Sequence, residues 1–321
     1  MMWALVLLIV GFILLWRGAD FLVSGAVGLA ERMGISQLVV GLTVVAMGTS
    51  APEVAAAIAA VLSGKGDIAI GNVYGSNIAN LALIGGIVAL LRPLHVQAST
   101  LRREIPAMLG VALLLWPAMR NLAISRIDAV ALLFVFGVMI VYTIRTARSG
   151  PVSESIQEAM ATVDPPGTLS RDIGFVALGL VTLAIGARAA VTGAVSIGSR
   201  IGLSDAVIGS TIVAVGTSLP ELITCVVAAR KGHHDISVGN LVGSNVFNTL
   251  FVTGVAAMVH PFHVTARFAR GWDYWIMLAV SLLFAGTAVL GGRVIQRRSG
   301  IILLATYIAY LFYLLQSAGS A

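Results

Sequence analysis

The sequence predicts an all-α membrane protein of ten transmembrane helices, built as two inverted five-helix repeats with interrupted second and seventh helices. Three observations predict it. Of 321 residues, 58% are hydrophobic and 11% are charged, with a mean hydropathy of +0.98; a soluble domain carries about a quarter charged residues. The stretch 41–96 recurs at 209–264 without a gap, and roughly two positions in five are identical. The shared positions are Gly, Thr, Ser, Pro, Glu, Asp and Asn more than Leu and Val, so this is a duplication and not a coincidence of apolar composition. Finally, each half holds an odd number of apolar segments, so the second copy enters the membrane from the opposite side.

At about 20 apolar residues per crossing, the segments fall near 3–28, 36–62, 67–91, 104–120 and 127–147, then 172–198, 204–229, 236–259, 273–291 and 300–317. The opening run has no positive region ahead of it and stays apolar past Ala26; it reads as a retained helix and not a removed signal. The polar interval 149–171 carries Pro151, Glu154, Glu158, Asp164, Pro165 and Pro166. It reads as a cytoplasmic linker between a first repeat (1–148) and a second, inverted repeat (172–321).

With the N-terminus outside, inside loops hold 12 Lys and Arg and outside loops hold 6, leaving Arg17 and Arg188 within helices. Both termini are therefore expected outside in a multi-pass membrane protein. The formal charge of +6 does not point to nucleic acid, because the basic residues are scattered singly and form no basic face. The single cysteine, Cys225, excludes an intrachain disulfide and a Cys-rich metal site.

The repeated motif carries the chemistry. Gly48-Thr49-Ser50-Ala51-Pro52-Glu53 and Gly216-Thr217-Ser218-Leu219-Pro220-Glu221 each fall inside an apolar helix. Proline removes a backbone donor and loosens the helix, which is expected to free carbonyls near Ala46, Gly48, Ala214 and Gly216. A carboxylate at the bilayer centre costs at least roughly 2.5–3.5 kcal/mol, and here Glu53 and Glu221 occupy equivalent positions with no arginine beside them. Ser76 and Asn80 lie four apart on the following helix, as do Ser244 and Asn248, so each pair shares a face. Carboxylate, hydroxyl, amide and carbonyl oxygens form a hard set suited to Ca²⁺, Mg²⁺ or Na⁺ and not to zinc or copper.

The paired GTSxPE and GNxxGSNxxN segments resemble the two α-repeats of the cation/Ca²⁺ exchanger superfamily, bacterial Na⁺/Ca²⁺ exchanger-like proteins above all. The resemblance covers almost the whole chain. It implies an antiporter, not an enzyme, that moves Na⁺ and Ca²⁺ as substrates through one central site, with no cofactor and no obligate protein partner beyond the lipid bilayer. It implies that Glu53 and Glu221 share Ca²⁺, with Thr49, Ser50, Thr217 and Ser218 as hydroxyl or carbonyl ligands. The Ala46 and Ala214 carbonyls serve flanking Na⁺ sites, and Ser76, Asn80, Ser244 and Asn248 complete the shell. The first and sixth helices are expected to slide during gating. Several exchangers carry aspartate where this chain has Asn248, so a possible third negative charge is missing, which counts against K⁺ co-transport.

Proton-coupled Ca²⁺ exchange through the same glutamates is the main alternative. A channel ranks lower because no continuous polar stripe or carbonyl filter is visible. An intramembrane enzyme ranks lower still, since acid–base catalysis wants two carboxyl groups in unlike settings. Outside the motif, Arg17 and Asp20 read as a neutralising pair, Asp67 and Asp235 as helix caps, and His233 and His234 as solvated loop residues. His95 and His263 recur just after a helix-ending proline.

Overall fold

The computed structural model describes residues 2–149, 168–202 and 214–318. The linker expected at 149–171 and the start of the seventh helix, expected from 204, lie mostly outside the described residues. Among the described residues, six helices are long and apolar enough to cross a membrane, or seven when one bent pair counts as a single span.

The first half runs α1 (Met2–Met33), α2 (Gln37–Thr49) and α3 (Ala51–Leu62), α4 (Gly66–Leu91), α5 (Ile105–Ala118) and α6 (Arg126–Ser149). The second half runs α7 (Leu169–Arg200), α8 (Ala214–Thr217), α9 (Leu219–Lys231), α10 (His234–Val259), α11 (Ala266–Arg270), α12 (Trp272–Leu290) and α13 (Arg297–Ala318). The expected interruption of the second helix is present: α2 and α3 meet at Ser50 with a bend of 44°. The described part of the seventh helix breaks in the same way at Ser218. In each case proline occupies the first turn beyond the break, where its missing N–H costs nothing.

The halves are wired into each other. Two-residue strands β1 (Leu94–His95) and β2 (Ala123–Ile124) in the first half pair antiparallel with β4 (Val294–Ile295) and β3 (Phe262–His263) in the second. Helices α4 and α10 are the most enclosed of these spans, and they feed the main core through Tyr74, Ile78, Leu81, Val242 and Leu250, joined there by Phe284 of α12. Helices α1 and α7 form a separate packed pair. Gly11, Gly18 and Gly25 lie seven apart on α1, matched by Gly179, Gly186 and Gly193 on α7; this spacing makes one stripe per helix. A Cβ on Gly18 would sit 2.8 Å from Leu183 N, and one on Gly179 2.6 Å from Leu22 N. The two backbones therefore touch, as small residues permit between membrane helices.

Three polar expectations are corrected. Asp20 forms its ion pair with Lys231 at the end of α9, because Arg17 lies on the exposed side of α1 while Asp20 is half-buried. Asp67 and Asp235 do not cap their helices: Asp67 Oδ1 accepts the Thr265 N–H at 2.8 Å, and Asp235 Oδ2 accepts from Gln97 Nε2 at 2.6 Å. Both bonds cross between halves. His233 is half-buried and bonds Gln37 Oε1 at 3.0 Å; burial, then the nearby Lys231, holds its pKa below the ordinary range.

Candidate cation site

The breaks at Ser50 and Ser218 place Glu53 and Glu221 in the first turns of α3 and α9, both buried. Each carboxylate is held by a serine from the opposite half. Ser50 Oγ donates to Glu221 Oε1 at 2.8 Å, and Ser218 Oγ donates to Glu53 Oε1 at 3.3 Å. Thr217 and Thr49 stand within hydrogen-bonding reach of Glu53 and Glu221 respectively. The structure thus brings Thr49, Ser50, Glu53, Thr217, Ser218 and Glu221 together across the repeat axis.

The second row is delivered by local π-helical geometry. Asn80 lies in the π-helical turn Ala79–Ile84 of α4, and Asn248 opens the turn Asn248–Val252 of α10. Such bulges concentrate at functional sites. These turns also cross over: α9 packs on Ala79–Ile84, and α3 on Asn248–Val252. Each glutamate helix therefore packs on the π-helical turn that carries the asparagine of the other half. Ser76 and Ser244 are buried one turn earlier, and Ser244 Oγ donates to Asn240 Oδ1 at 3.3 Å.

Ala46 departs from expectation. Its carbonyl accepts the Ser50 N–H at 3.1 Å and, more weakly, the Thr49 hydroxyl at 3.4 Å, so Pro52 does not leave it free. The Thr49 hydroxyl has a nearer acceptor in the Val45 carbonyl at 3.1 Å, so of the two lone pairs on Ala46 only the one it shares is open to a ligand. Ala214 is the first described residue of the seventh-helix segment.

Four asparagines of the repeated motif, Asn72, Asn77, Asn240 and Asn245, were not singled out in sequence. Asn240 is fully buried; its Oδ1 accepts from Thr49 Oγ1 at 3.2 Å and its Nδ2 reaches Cys225 Sγ at 3.3 Å. Its equivalent, Asn72, donates from Nδ2 to the Glu53 carbonyl at 3.4 Å. Asn77 also bridges the halves, donating to Thr249 Oγ1 at 2.9 Å. The signal was available, since Asn72, Asn77, Asn240 and Asn245 are identical between the copies.

Glu53 Oε2, Glu221 Oε2 and both amide atoms of Asn80 and Asn248 are buried without a hydrogen-bond partner among the described residues. Buried polar atoms are normally satisfied, and a buried charge demands a counter-charge. None of 36–62, 66–91, 203–229 and 235–259 contains Lys or Arg. The orphaned carboxylate and amide oxygens are the ligand set that fits a hard cation.

The chain matches the family model described as sodium/calcium exchanger protein over residues 3–145 and 172–316. It is 37% identical over 288 residues to the inner membrane protein YrbG of Escherichia coli, covering 89% of this chain and 88% of that one. It is 33% identical over 342 residues to the sodium/calcium exchanger MaX1 of Methanosarcina acetivorans, covering 96% and 97% of the two chains. The solved sodium/calcium exchanger from Methanococcus jannaschii superimposes with a TM-score of 0.82 at 29% identity, covering 97% and 98% of the chains. The chain belongs to the sodium/calcium exchanger family.

Proposed function

We propose that this protein is a secondary antiporter that exchanges Na⁺ for Ca²⁺ across a bacterial inner membrane. The observation that carries the reading is the reciprocal pair Ser50–Glu221 and Ser218–Glu53, which joins two buried carboxylates from inverted halves with no basic residue on their segments. Ten crossings in two inverted repeats, 1–148 and 172–321 about a cytoplasmic linker, with both termini outside, give each half an equivalent route to this centre. The exchanger MaX1 and the M. jannaschii structure support the choice of Na⁺ and Ca²⁺.

Charge decides how the site works. Two glutamates supply −2, so one Ca²⁺ or two Na⁺ leave the centre neutral, and a third Na⁺ leaves +1. Moving that charge is worth about 2.3 kcal/mol per 100 mV. Glu53 and Glu221 share Ca²⁺. The hydroxyls of Thr49, Ser50, Thr217 and Ser218 hold the carboxylates in place and offer oxygen to the ions, and the Ala46 and Ala214 carbonyls flank them as Na⁺ ligands. Ser76, Asn80, Ser244 and Asn248 close the other side, and Asn240 braces Thr49.

The test is ⁴⁵Ca²⁺ uptake into proteoliposomes loaded with Na⁺ and diluted into Na⁺-free buffer. Uptake that requires the outward Na⁺ gradient is expected. Uptake driven only by a pH gradient overturns Na⁺ coupling in favour of proton exchange.

A further inference from the structure

The two halves are not equal at their ends. Lys231 Nζ at the end of α9 pairs with Asp20 of α1 and donates to Ser24 Oγ at 3.2 Å. The neighbouring Arg230 guanidinium lies 5.3 Å from the Trp16 ring centroid. Trp16, Asp20 and Ser24 are four apart, so a single face of α1 is held against α9. The repeat carries α1 onto α7 and α9 onto α3 at the offset that carries Glu53 onto Glu221. At the mirror positions Asp20 becomes Arg188, Lys231 becomes Ser63, Arg230 becomes Leu62 and Trp16 becomes Ala184. Only the hydroxyl survives, as Thr192, which bonds the Arg188 carbonyl just as Ser24 bonds that of Asp20. An approach of Arg188 to Ser63 would offer no ion pair, and Lys65 two residues further would add a like charge.

The packing is unequal in the same sense. Helix α1 packs along α9, whereas among the described residues α7 makes no comparable contact with α3. Leu62 is 64% exposed, and Ala184 is exposed as well. A second ion pair, Arg32–Asp172, joins α1 to α7 at the Lys231 end, where the Asp172 carboxyl would meet a Cβ placed on Gly28 at 2.6 Å. Its mirror acid is Ala4. That pair, with the glycine seam, makes α1 and α7 one body.

We infer that Asp20 and Lys231 form a one-sided latch between the α1–α7 body and α9, made only when the protein is closed at the Lys231 end, so that the two end states of the transport cycle are unequal. This rests on the exchange reading, because alternating access is what gives the mirror contact a meaning. In the opposite state the symmetric approach brings Arg188 to Ser63 and gains nothing. The latch therefore biases the protein toward the state open at the Ser63 end, by a factor of about two to five, the equilibrium shift an exposed ion pair supplies.

The test uses full-length protein in lipid nanodiscs, in a Cys225→Ser background, with spin labels on Leu62→Cys and Ala184→Cys, and reads the distance distribution between them. Lys231→Ala is expected to raise the short-distance fraction about two- to fivefold, and Lys231→Arg to leave it unchanged. The charge swap Asp20→Lys with Lys231→Asp restores the parent distribution. Arg188→Asp with Ser63→Lys, which builds the latch at the other end, raises the short-distance fraction. An unchanged distribution in Lys231→Ala, or a swap that behaves like the single variant, overturns the latch. Isotope uptake by the same proteins separates the two claims. Shifted distances without Na⁺-driven Ca²⁺ uptake in the parent uphold the latch and reject the exchange reading; intact uptake without any shift does the reverse.

Discussion

Ser50 Oγ of the first half donates to Glu221 Oε1 of the second at 2.8 Å, and the same bond runs the other way from Ser218 to Glu53 at 3.3 Å. Each glutamate takes its serine from the other half. These bonds tie the geometry of the proposed cation centre to how the repeats sit against one another, so on the exchange reading a movement between them is expected to alter ion affinity.

Removing either donor frees a carboxylate that the opposite half now holds. Ser50→Ala and Ser218→Ala are each expected to weaken Ca²⁺ binding about 10- to 100-fold, the usual effect of losing a group that orients a metal ligand. Ser50→Ala should have the larger effect, because its bond is shorter. Calcium titration of purified variants by calorimetry measures both.

Asn248→Asp adds a third carboxyl group to a centre that, on the proposed exchange, one Ca²⁺ balances. At a pH where the new group is protonated, the variant should transport like the parent, since a neutral acid resembles the amide. At higher pH it should acquire a requirement for K⁺ or an additional Na⁺. Isotope uptake across pH 6–9, with and without K⁺, reads this out. Higher Ca²⁺ affinity and faster transport without any such dependence indicate a centre specialised for another cargo.

Asn240 and Asn72 are equivalent by sequence but not by contact. Asn240 braces the Thr49 hydroxyl from the opposite half, whereas Asn72 bonds a backbone carbonyl in its own. Asn240→Ala is expected to lower Ca²⁺ affinity about tenfold, within the range for outer ligands, and Asn72→Ala by less. Equal losses in the same titration count against the bracing role.

The α1–α7 seam sets a limit on side-chain size. Gly18→Leu or Gly179→Leu forces atoms into a gap of under 3 Å, and overpacking of this kind costs typically 1–3 kcal/mol. A lower Tm in detergent is expected. Gly174→Ala on the same helix meets nothing within 4 Å and should leave Tm unchanged or raise it slightly.

What the chain declared in advance was its repetition and the chemistry inside it. Glu53, Glu221, Ser50 and Ser218 stood out because acidic and hydroxyl residues beside proline are costly in an apolar helix, and the copy excluded accident. The partner of each was not legible. A linear pattern says which residues share a helix face, not which half that face meets, so Ser50 could not be assigned to Glu221. For the same reason Asp20 was matched with Arg17, its neighbour in sequence, when its partner is Lys231, more than two hundred positions away. Asn240 was passed over because its helix is crowded with small and polar residues that packing alone explains. The π-helical turns at Asn80 and Asn248 leave no mark in residue type.

The most direct measurement is equilibrium Ca²⁺ binding to the purified protein, with Na⁺ as competitor, for the parent and for Glu53→Gln and Glu221→Gln. The shared-carboxylate account predicts one Ca²⁺ per chain, displaced by Na⁺, and loss of that binding in each single variant. Retention of parental affinity by either variant would contradict a site built on both glutamates.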